Sequence, residues 1–333
     1  MELRLIDHLI EKIADGVKRH NLGQPGAYAR WLWGEDRELG VNEYGCADAA
    51  NILYTIGDFP SDPDERKEWV CILQELQNPE TGLFRERTHH FIHTTAHCSA
   101  ALELFDAKPL YPCTALQEYT QKEKLYHLLE QEVDWSKPWG ESHKGAGIFP
   151  CLENTQGMSL EWKQWYFDWF WNNADPEIGF WDFGGSRAAA PDRIMEYMAG
   201  GFHYMFVHES EHRPYRYPEK IIDFCFSLTA NPLVKDLFCK ECCFLDVDIV
   251  YSMNRASRQT PHRFWEVKQW LEDYAQRYLA MWDSIDYHKD ETFNDLHLLF
   301  GAVCCLAELQ AALPGKILTT KPLKLVLDRR PFI

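Results

Sequence analysis

Hydrophobic residues recur every three to four positions in several charged segments of the chain, a pattern typical of helices with one buried face. These helices are predicted over 63–77, 116–131, 159–171, 218–228 and 261–282. The last of them repeats an apolar or aromatic residue from Phe264 to Tyr278 at this spacing. Pro63, Pro218 and Pro261 are predicted to stand in the first turn of their helices, where proline is well tolerated.

A second kind of segment lies between these helices. It is rich in small and apolar residues and carries polar residues at its start, and it occurs at 42–57, 89–105, 141–153, 195–209, 242–257 and 294–313. The segments follow one another at about 50 residues, the length of a helical hairpin with its loops. Their alternation with the charged helices predicts an all-α fold, an (α/α)6 toroid with six inner and six outer helices in one domain over 1–333. An open α-solenoid is the alternative.

Two similar turns support the repeat. The stretch "NPETGLF" at 78–84 resembles "DPEIGFW" at 175–181, and Pro79 and Pro176 lie 97 residues apart. This separation is close to two periods of the helical hairpin, so the same turn is expected to recur at equivalent places.

The stretch 73–105, "LQELQNPETGLFRERTHHFIHTTAHCSAALELF", resembles the toroid repeat of terpenoid cyclases and protein prenyltransferases. The resemblance implies the fold more than the activity, since such toroids also serve sugar hydrolases, lyases and epimerases. Prenyltransferase β subunits bind zinc through Asp-x-Cys and a later His, and Asp246, Asp248 and His297 are the matching positions. Because Asp248 replaces the thiolate, the resemblance implies a harder divalent ion or no ion.

Charge excludes some classes of partner. The chain has 34 basic and 51 acidic residues, a formal charge of −17, which argues against nucleic acid and anionic membranes. Neither a signal-peptide core nor an apolar run of about 18 residues occurs. The sequence therefore predicts a cytoplasmic protein whose 11 cysteines are mostly reduced and packed in the core. Self-association is left open.

Carboxylates and histidines cluster at the starts of the predicted inner helices, which meet at one mouth of a toroid. The predicted catalytic residues are the four carboxylates of the most acidic starts, Glu43, Asp48, Asp246 and Asp248. Two of them from different helices can act as acid and base if their surroundings separate their pKa values.

Other polar and aromatic residues are predicted to bind the substrate. The imidazoles expected to orient hydroxyl groups are those of His93, His97, His143, His203 and His297. The rings expected to stack on a flat ligand are those of Trp139, Trp181 and Tyr44, and Arg255 is expected to pair with a carboxylate. His89, His93 and His97 are spaced to share one helix face, which allows metal binding, substrate contact or a solvated, hydrogen-bonded stripe.

The leading hypothesis is a carbohydrate-active enzyme, a hydrolase or lyase for small oligosaccharides, that requires no metal or other cofactor. The first alternative is a metal-assisted enzyme of isoprenoid or prenyl-group chemistry. The second is a toroid that binds a ligand without reaction. The sequence contains no Walker loop, no G-x-G-x-x-G turn and no G-x-S-x-G elbow, which removes support for the nucleotide-binding and serine-hydrolase classes.

Overall fold

Helices account for nearly all regular structure in the computed structural model, and this confirms the all-α prediction. The structure describes residues 1–34, 37, 40–185, 187, 191–330 and 332–333, without the side chain of residue 192. No helix within these ranges is both long enough and apolar enough to cross a bilayer. The cysteines are free thiols and most of them are buried.

The helices follow one another with short connections. The first seven are α1 (Asp7–Arg19), α2 (Glu43–Ile56), α3 (Pro63–Glu75), α4 (Phe91–Glu103), α5 (Lys122–His127), α6 (Pro138–Gln156) and α7 (Leu160–Asn173). The remainder are α8 (Met195–Ser210), α9 (Pro218–Ala230), α10 (Phe244–Ser257), α11 (Phe264–Ser284), α12 (Glu291–Asn294), α13 (Leu296–Ala312) and α14 (Val326–Arg329). Two short strands, β1 (Arg4–Leu5) and β2 (Ile317–Leu318), pair in parallel.

Six helices are buried along nearly their whole length, namely α2, α4, α6, α8, α10 and α13. Each contacts the next in chain order, and α13 contacts α2. The spacing of about 50 residues predicted these six segments, and their small residues permit close contact between backbones. In α8, for example, a Cβ atom on Gly200 would lie 2.4 Å from the carbonyl oxygen of Pro138 at the start of α6.

Two of the amphipathic segments differ from their predictions. The segment 116–131 is not one helix, because Gln121 is extended (φ −94°, ψ 139°) and separates a 3₁₀ helix, Thr114–Thr120, from α5. Helix α11 begins at Phe264, because Arg263 takes a left-handed conformation with φ 51°, and Pro261 therefore lies outside it. The predicted apolar stripe of α11 is buried apart from Phe264.

The two similar turns have the same hydrogen bonds. In the first, Asn78 accepts the amide of Gly82 through its carbonyl oxygen at 2.8 Å, and its side chain accepts the two amides at 80 and 81. In the second, Asp175 accepts Gly179 at 2.8 Å and its side chain accepts the amides at 177 and 178. Gly82 and Gly179 have φ values of 72° and 78°, where glycine is favoured.

Replacing Gly82 with Ala is expected to destabilise the protein strongly. A Cβ atom there would lie 2.0 Å from the carbonyl oxygen of Pro112, whereas one at Gly315, which has a similar φ of 78°, would meet nothing within 4 Å. Both variants place a side chain on a left-handed backbone conformation, which has the same cost at the two positions. Gly82→Ala should therefore lower the free energy of unfolding by about 1–3 kcal/mol more than Gly315→Ala, because of the clash. Urea denaturation measures this difference, and equal midpoints would show that the turn does not pack as described.

Candidate functional site

A cavity of about 240 Å³ lies between α4, α6, α8, α10 and α13, near the N-terminal ends of all of them except α8, which contributes His203 from its middle. Its walls are His89, His93, Trp139, Gly140, His143, His203, Phe244, His297 and Ile333. The polar part of the wall is almost entirely imidazole, and no carboxylate among the described residues belongs to it. The convergence of polar residues from the buried helices agrees with the expectation from the sequence, but the groups that converge are histidines.

Three histidines from consecutive buried helices face one another across this cavity. His93, His143 and His203 belong to α4, α6 and α8, and one ring nitrogen of each lies within 4.8 Å of those of the other two. The ring centroids are 4.1 Å apart for His93 and His143, and 5.6 Å apart for His143 and His203. The sequence predicted each of the three as a substrate contact but not their meeting at one point.

Hydrogen bonds at Nδ1 orient two of these three rings, those of His93 and His203. The hydroxyl of Tyr44 lies 2.5 Å from Nδ1 of His93. The hydroxyl of Ser142 donates to the carbonyl oxygen of Trp139 at 2.5 Å, so it accepts from Nδ1 of His203 at 2.7 Å. Nδ1 of His203 therefore carries the proton, and its Nε2 has a free lone pair.

Burial keeps four imidazoles of the cavity uncharged, those of His89, His93, His143 and His203. It holds the pKa of His93 and of His143 well below the usual range, and their histidine neighbours add to the effect. Burial also lowers the pKa of His203 to about 3 and that of His89 to about 4. At neutral pH these rings are neutral, and neutral imidazole can bind a metal ion or accept a proton.

Asp48 of α2 forms a second cluster with two histidines, wholly inside the protein. It accepts a hydrogen bond from Nε2 of His97 at 2.7 Å and another from Nδ1 of His297 at 3.1 Å. Burial alone would raise the pKa of Asp48, but the two imidazoles hold it below the usual range. Burial lowers the pKa of His97 to about 3 although Asp48 opposes the shift, so His97 is a neutral donor to an ionised carboxylate.

His297 belongs to this cluster and also to the cavity wall. It stands in the first turn of α13, where Asp295 accepts its backbone amide at 2.9 Å and caps the helix. Asp295 is held in turn by the guanidinium of Arg30 through two hydrogen bonds of 2.8 and 2.9 Å. This arrangement fixes the position of the His297 ring between Asp48 and the cavity.

Aromatic rings stack behind the cavity wall. The ring of Tyr44 lies 4.5 Å from that of His89 and 5.0 Å from that of His97, and His89 lies 4.9 Å from His93. His89, His93 and His97 therefore lie side by side as the sequence indicated, although α4 begins only at Phe91. Tyr44 is fully buried, so it supports the histidines and does not form part of the cavity wall.

The structure does not bring the four predicted catalytic carboxylates together at the cavity. Asp246 accepts the amide of Cys239 at 2.9 Å and the hydroxyl of Tyr274, so it is directed towards the outer side of α10. Asp248 is buried without a hydrogen-bond partner among the described residues, and burial, with Asp246 nearby, raises its pKa. Burial raises the pKa of Glu43 to about 7, but this side chain does not line the cavity either.

Trp181 and Arg255 also lie away from the cavity. Trp181 packs against Tyr204 and His208, with its indole N–H donated to the carbonyl oxygen of Phe170 at 2.8 Å. Arg255 is paired inside the protein with Glu308, so its guanidinium is already satisfied. Trp139 is the predicted tryptophan that does line the cavity, and it is partly exposed there.

Residues 332 and 333, which follow α14, lie beside the cavity. Helix α14 contacts α8 and α2, and the ring of Phe332 lies 4.9 Å from that of His93. Ile333 forms part of the wall. This contribution was not predicted, because nothing in the sequence pattern of 326–333 marks it as part of the interior.

The chain was compared with protein-family models, with curated proteins and with solved structures, and none of the three comparisons finds a match. The resemblance of 73–105 to a toroid repeat therefore stays a prediction.

Proposed function

We propose that this chain is an enzyme that transfers a proton to or from a small polar molecule, with a saccharide unit as the substrate class. The observation that carries the proposal is the pair formed by Asp48 and His297 at the wall of a small cavity lined with imidazoles. The hydrolase or lyase predicted from the sequence is retained as the reaction class. The acid–base groups differ from the predicted pair of carboxylates.

The arrangement of helices favours an (α/α)6 toroid as the scaffold. The six buried helices contact one another in cyclic order, and α3, α9 and α11 lie against them as outer helices. In such a ring the helix starts on one side form a common mouth. This geometry accounts for a cavity walled by residues far apart in the sequence.

His297 is the proposed base. The ionised carboxylate of Asp48 only accepts hydrogen bonds, so Nδ1 of His297 carries the proton and Nε2 is the nitrogen available to a ligand. A buried carboxylate in this position fixes the tautomer of the imidazole and stabilises its charged form after proton transfer. Asp48 itself is enclosed by His97 and His297, and it acts through His297.

Size and lining limit the substrate. A volume of about 240 Å³ equals the liquid volume of about eight water molecules, which suits one sugar ring and not an oligosaccharide. The indole of Trp139 offers a flat surface for the apolar face of a sugar, while five imidazoles are available to its hydroxyl groups. The cavity is less suited to a long isoprenoid chain, and Asp246, Asp248 and His297 do not form a metal-binding group among the described residues.

The experiment incubates the purified protein in D₂O with a panel of hexoses, hexosamines, uronic acids and disaccharides, and follows the proton NMR spectrum. Hydrolysis gives new anomeric signals, elimination gives a vinyl proton, and proton abstraction alone exchanges a carbon-bound hydrogen for deuterium. His297→Asn keeps a donor for Asp48 and removes Nε2, so turnover should fall about 10²–10⁴-fold with an unchanged melting temperature.

His208→Gln is the matched control, because His208 is a buried histidine of α8 outside the cavity and should leave turnover unchanged. Full activity in His297→Asn would show that His297 is not the base. Binding without any reaction would favour the non-enzymatic alternative. Failure of every saccharide to bind would remove the proposed substrate class.

A further inference from the structure

In the part of the chain that the structure describes, the nitrogen atoms that converge from His93, His143 and His203 have no protein partner. Among the described residues, Nε2 of His93, Nε2 of His203 and both ring nitrogens of His143 make no hydrogen bond. Polar atoms in a largely buried cavity need a partner, and three imidazoles that point at one place share none between them. A cation at that place would satisfy all three.

We infer that His93, His143 and His203 form a binding site for one divalent transition metal of the zinc class, open to the cavity. The inference rests on the proposed function only for the use of the metal, since binding itself requires no substrate. It departs from the sequence hypothesis, which required no metal and considered Asp246, Asp248 and His297, or the run from His89 to His97.

The geometry lies close to that of a three-histidine centre. Zinc binds imidazole nitrogen at about 2.0–2.1 Å, so tetrahedral ligands lie about 3.3 Å from one another. The three nitrogens are already within 4.8 Å, and small rotations of the side chains bring them to this distance. Three neutral imidazoles suit zinc, cobalt, nickel or copper better than magnesium or calcium, which prefer oxygen ligands.

The outer partners have the arrangement that metal-binding histidines usually have. Such a histidine commonly donates its second ring N–H to a protein acceptor, which fixes the tautomer. Ser142 accepts from Nδ1 of His203 and leaves Nε2 free, and the hydroxyl of Tyr44 is the hydrogen-bond partner of Nδ1 of His93, which directs Nε2 of that ring to the metal. Two rings are therefore oriented in advance, and His143 supplies the third nitrogen.

The cluster of Asp48, His97 and His297 is the competing place for a metal, because its ligand atoms are equally close together. The Asp48 carboxylate, Nε2 of His97 and Nδ1 of His297 already bond to one another at 2.7 to 3.2 Å, and the cluster is sealed from the cavity on the side of His97. The three histidines instead leave a coordination position on the cavity side, as catalytic zinc sites do. A metal held there would supply a Lewis acid for a substrate oxygen beside His297.

The first measurement is metal content. Protein purified without chelator is expected to carry about one equivalent of metal by mass spectrometry, and metal-free protein should bind zinc and cobalt(II) with the same stoichiometry. Cobalt(II) should give the visible spectrum of four-coordinate nitrogen and oxygen ligation without a thiolate charge-transfer band. X-ray absorption of the zinc form should show nitrogen at about 2.0–2.1 Å with the scattering pattern of imidazole and no sulfur.

Variants locate the site. His143→Ala removes no hydrogen bond between described residues, so it should keep the fold. It should raise the Kd for zinc by more than the roughly 10–100-fold expected for Tyr44→Phe, which removes an outer partner. His89→Ala, a histidine of the same cavity outside the group of three, and Asp48→Asn should retain the metal. Circular dichroism and melting temperature confirm that each variant is folded.

Two results would overturn the inference. One is wild-type protein that takes up none of zinc, cobalt, nickel or copper. The other is metal that is lost in Asp48→Asn and kept in His143→Ala, which would place it in the competing cluster. Metal binding without turnover would leave this inference standing and remove the proposed function, while turnover by a protein that takes up none of these metals would do the reverse.

Discussion

Metal-free protein is expected to unfold as the pH falls from 6.5 towards 4, because the interior holds histidines that are neutral only while folded. Burial lowers the pKa of His97 and of His203 to about 3. It lowers the pKa of His20 and of His208 to about 4, although hydrogen bonds to backbone carbonyls oppose these two shifts. In the unfolded chain each titrates near 6.5. The unfolded state therefore binds more protons, and stability is lost as the pH falls through 6.5 towards the folded values.

Buried carboxylates oppose this trend without cancelling it. Burial raises the pKa of Glu43 to about 7 and that of Asp246 to about 6, and it also raises the pKa of Asp248, so these groups bind protons first in the folded state. The histidines with lowered pKa outnumber them and include His20, His89, His93, His97, His143, His203 and His208. The net difference at pH 5.5 is roughly three to four protons, or about 4–5 kcal/mol per pH unit.

Over two or three pH units, a slope of this size lowers the free energy of unfolding by as much as the whole stability of an ordinary domain, about 5–15 kcal/mol. The melting temperature of chelator-treated protein, measured from pH 7 to pH 4, tests it. His208→Gln can still donate to the carbonyl oxygen of Tyr204, and it should reduce the slope by about one proton. His212→Gln, at an exposed position, should not change it. A melting temperature that stays constant between pH 7 and pH 5 would contradict the prediction.

The fold class was predictable because its signals are local. Each buried helix carries polar residues around its start and continues with small apolar ones, and each charged helix shows one apolar stripe. The period of about 50 residues is therefore visible in the sequence. The repeated turn was visible because one side chain, Asn78 or Asp175, and one glycine produce it. The break at Gln121 was not visible, because no proline or glycine marks it.

The candidate site was predictable as a set of residue types and not as a geometry. His93, His143 and His203 are separated by 50 and 60 positions, and their meeting depends on the tilt and rotation of three helices. Helix starts indicated a set of polar residues, of which only some reach the cavity, but not which side of the helix each faces. Asp246 illustrates the difficulty, because it stands at the right helix start and bonds to Cys239 in the preceding loop.

The partners of long side chains were the least predictable feature of the structure. Arg255 lies near the end of α10, and its sequence context is the same whether it clamps a substrate or pairs inside the protein. The carboxylate that pairs with Arg255 belongs to Glu308, which is 53 residues away in the sequence. Such pairing follows from the packing of α10 against α13, which periodicity alone does not specify.

Replacing Glu308 with Gln is expected to cause a large loss of stability. The guanidinium of Arg255 donates to the Glu308 carboxylate through Nε at 2.7 Å and through a second nitrogen at 2.9 Å, and both side chains are only 3% exposed. Removing one partner of a buried pair leaves an uncompensated charge, which typically costs about 3–5 kcal/mol. Because Asp328 stays 2.7 Å from the same guanidinium, we expect the lower end of this range.

A loss of about 3 kcal/mol lowers the melting temperature by roughly 4 °C, since the entropy of unfolding of 333 residues is about 0.7 kcal/mol per kelvin. Glu266→Gln is the matched control, because Arg263 holds Glu266 in the same two-bond geometry at 2.8 and 3.0 Å, but on the surface. That variant should leave the melting temperature unchanged, as exposed pairs contribute little. The double variant Arg255→Met with Glu308→Leu removes both charges and should recover most of the lost stability. Two results would contradict this explanation. One is a melting temperature of Glu308→Gln equal to that of the wild type, and the other is a double variant less stable than Glu308→Gln. Either would show that an uncompensated buried charge does not cause the loss of stability.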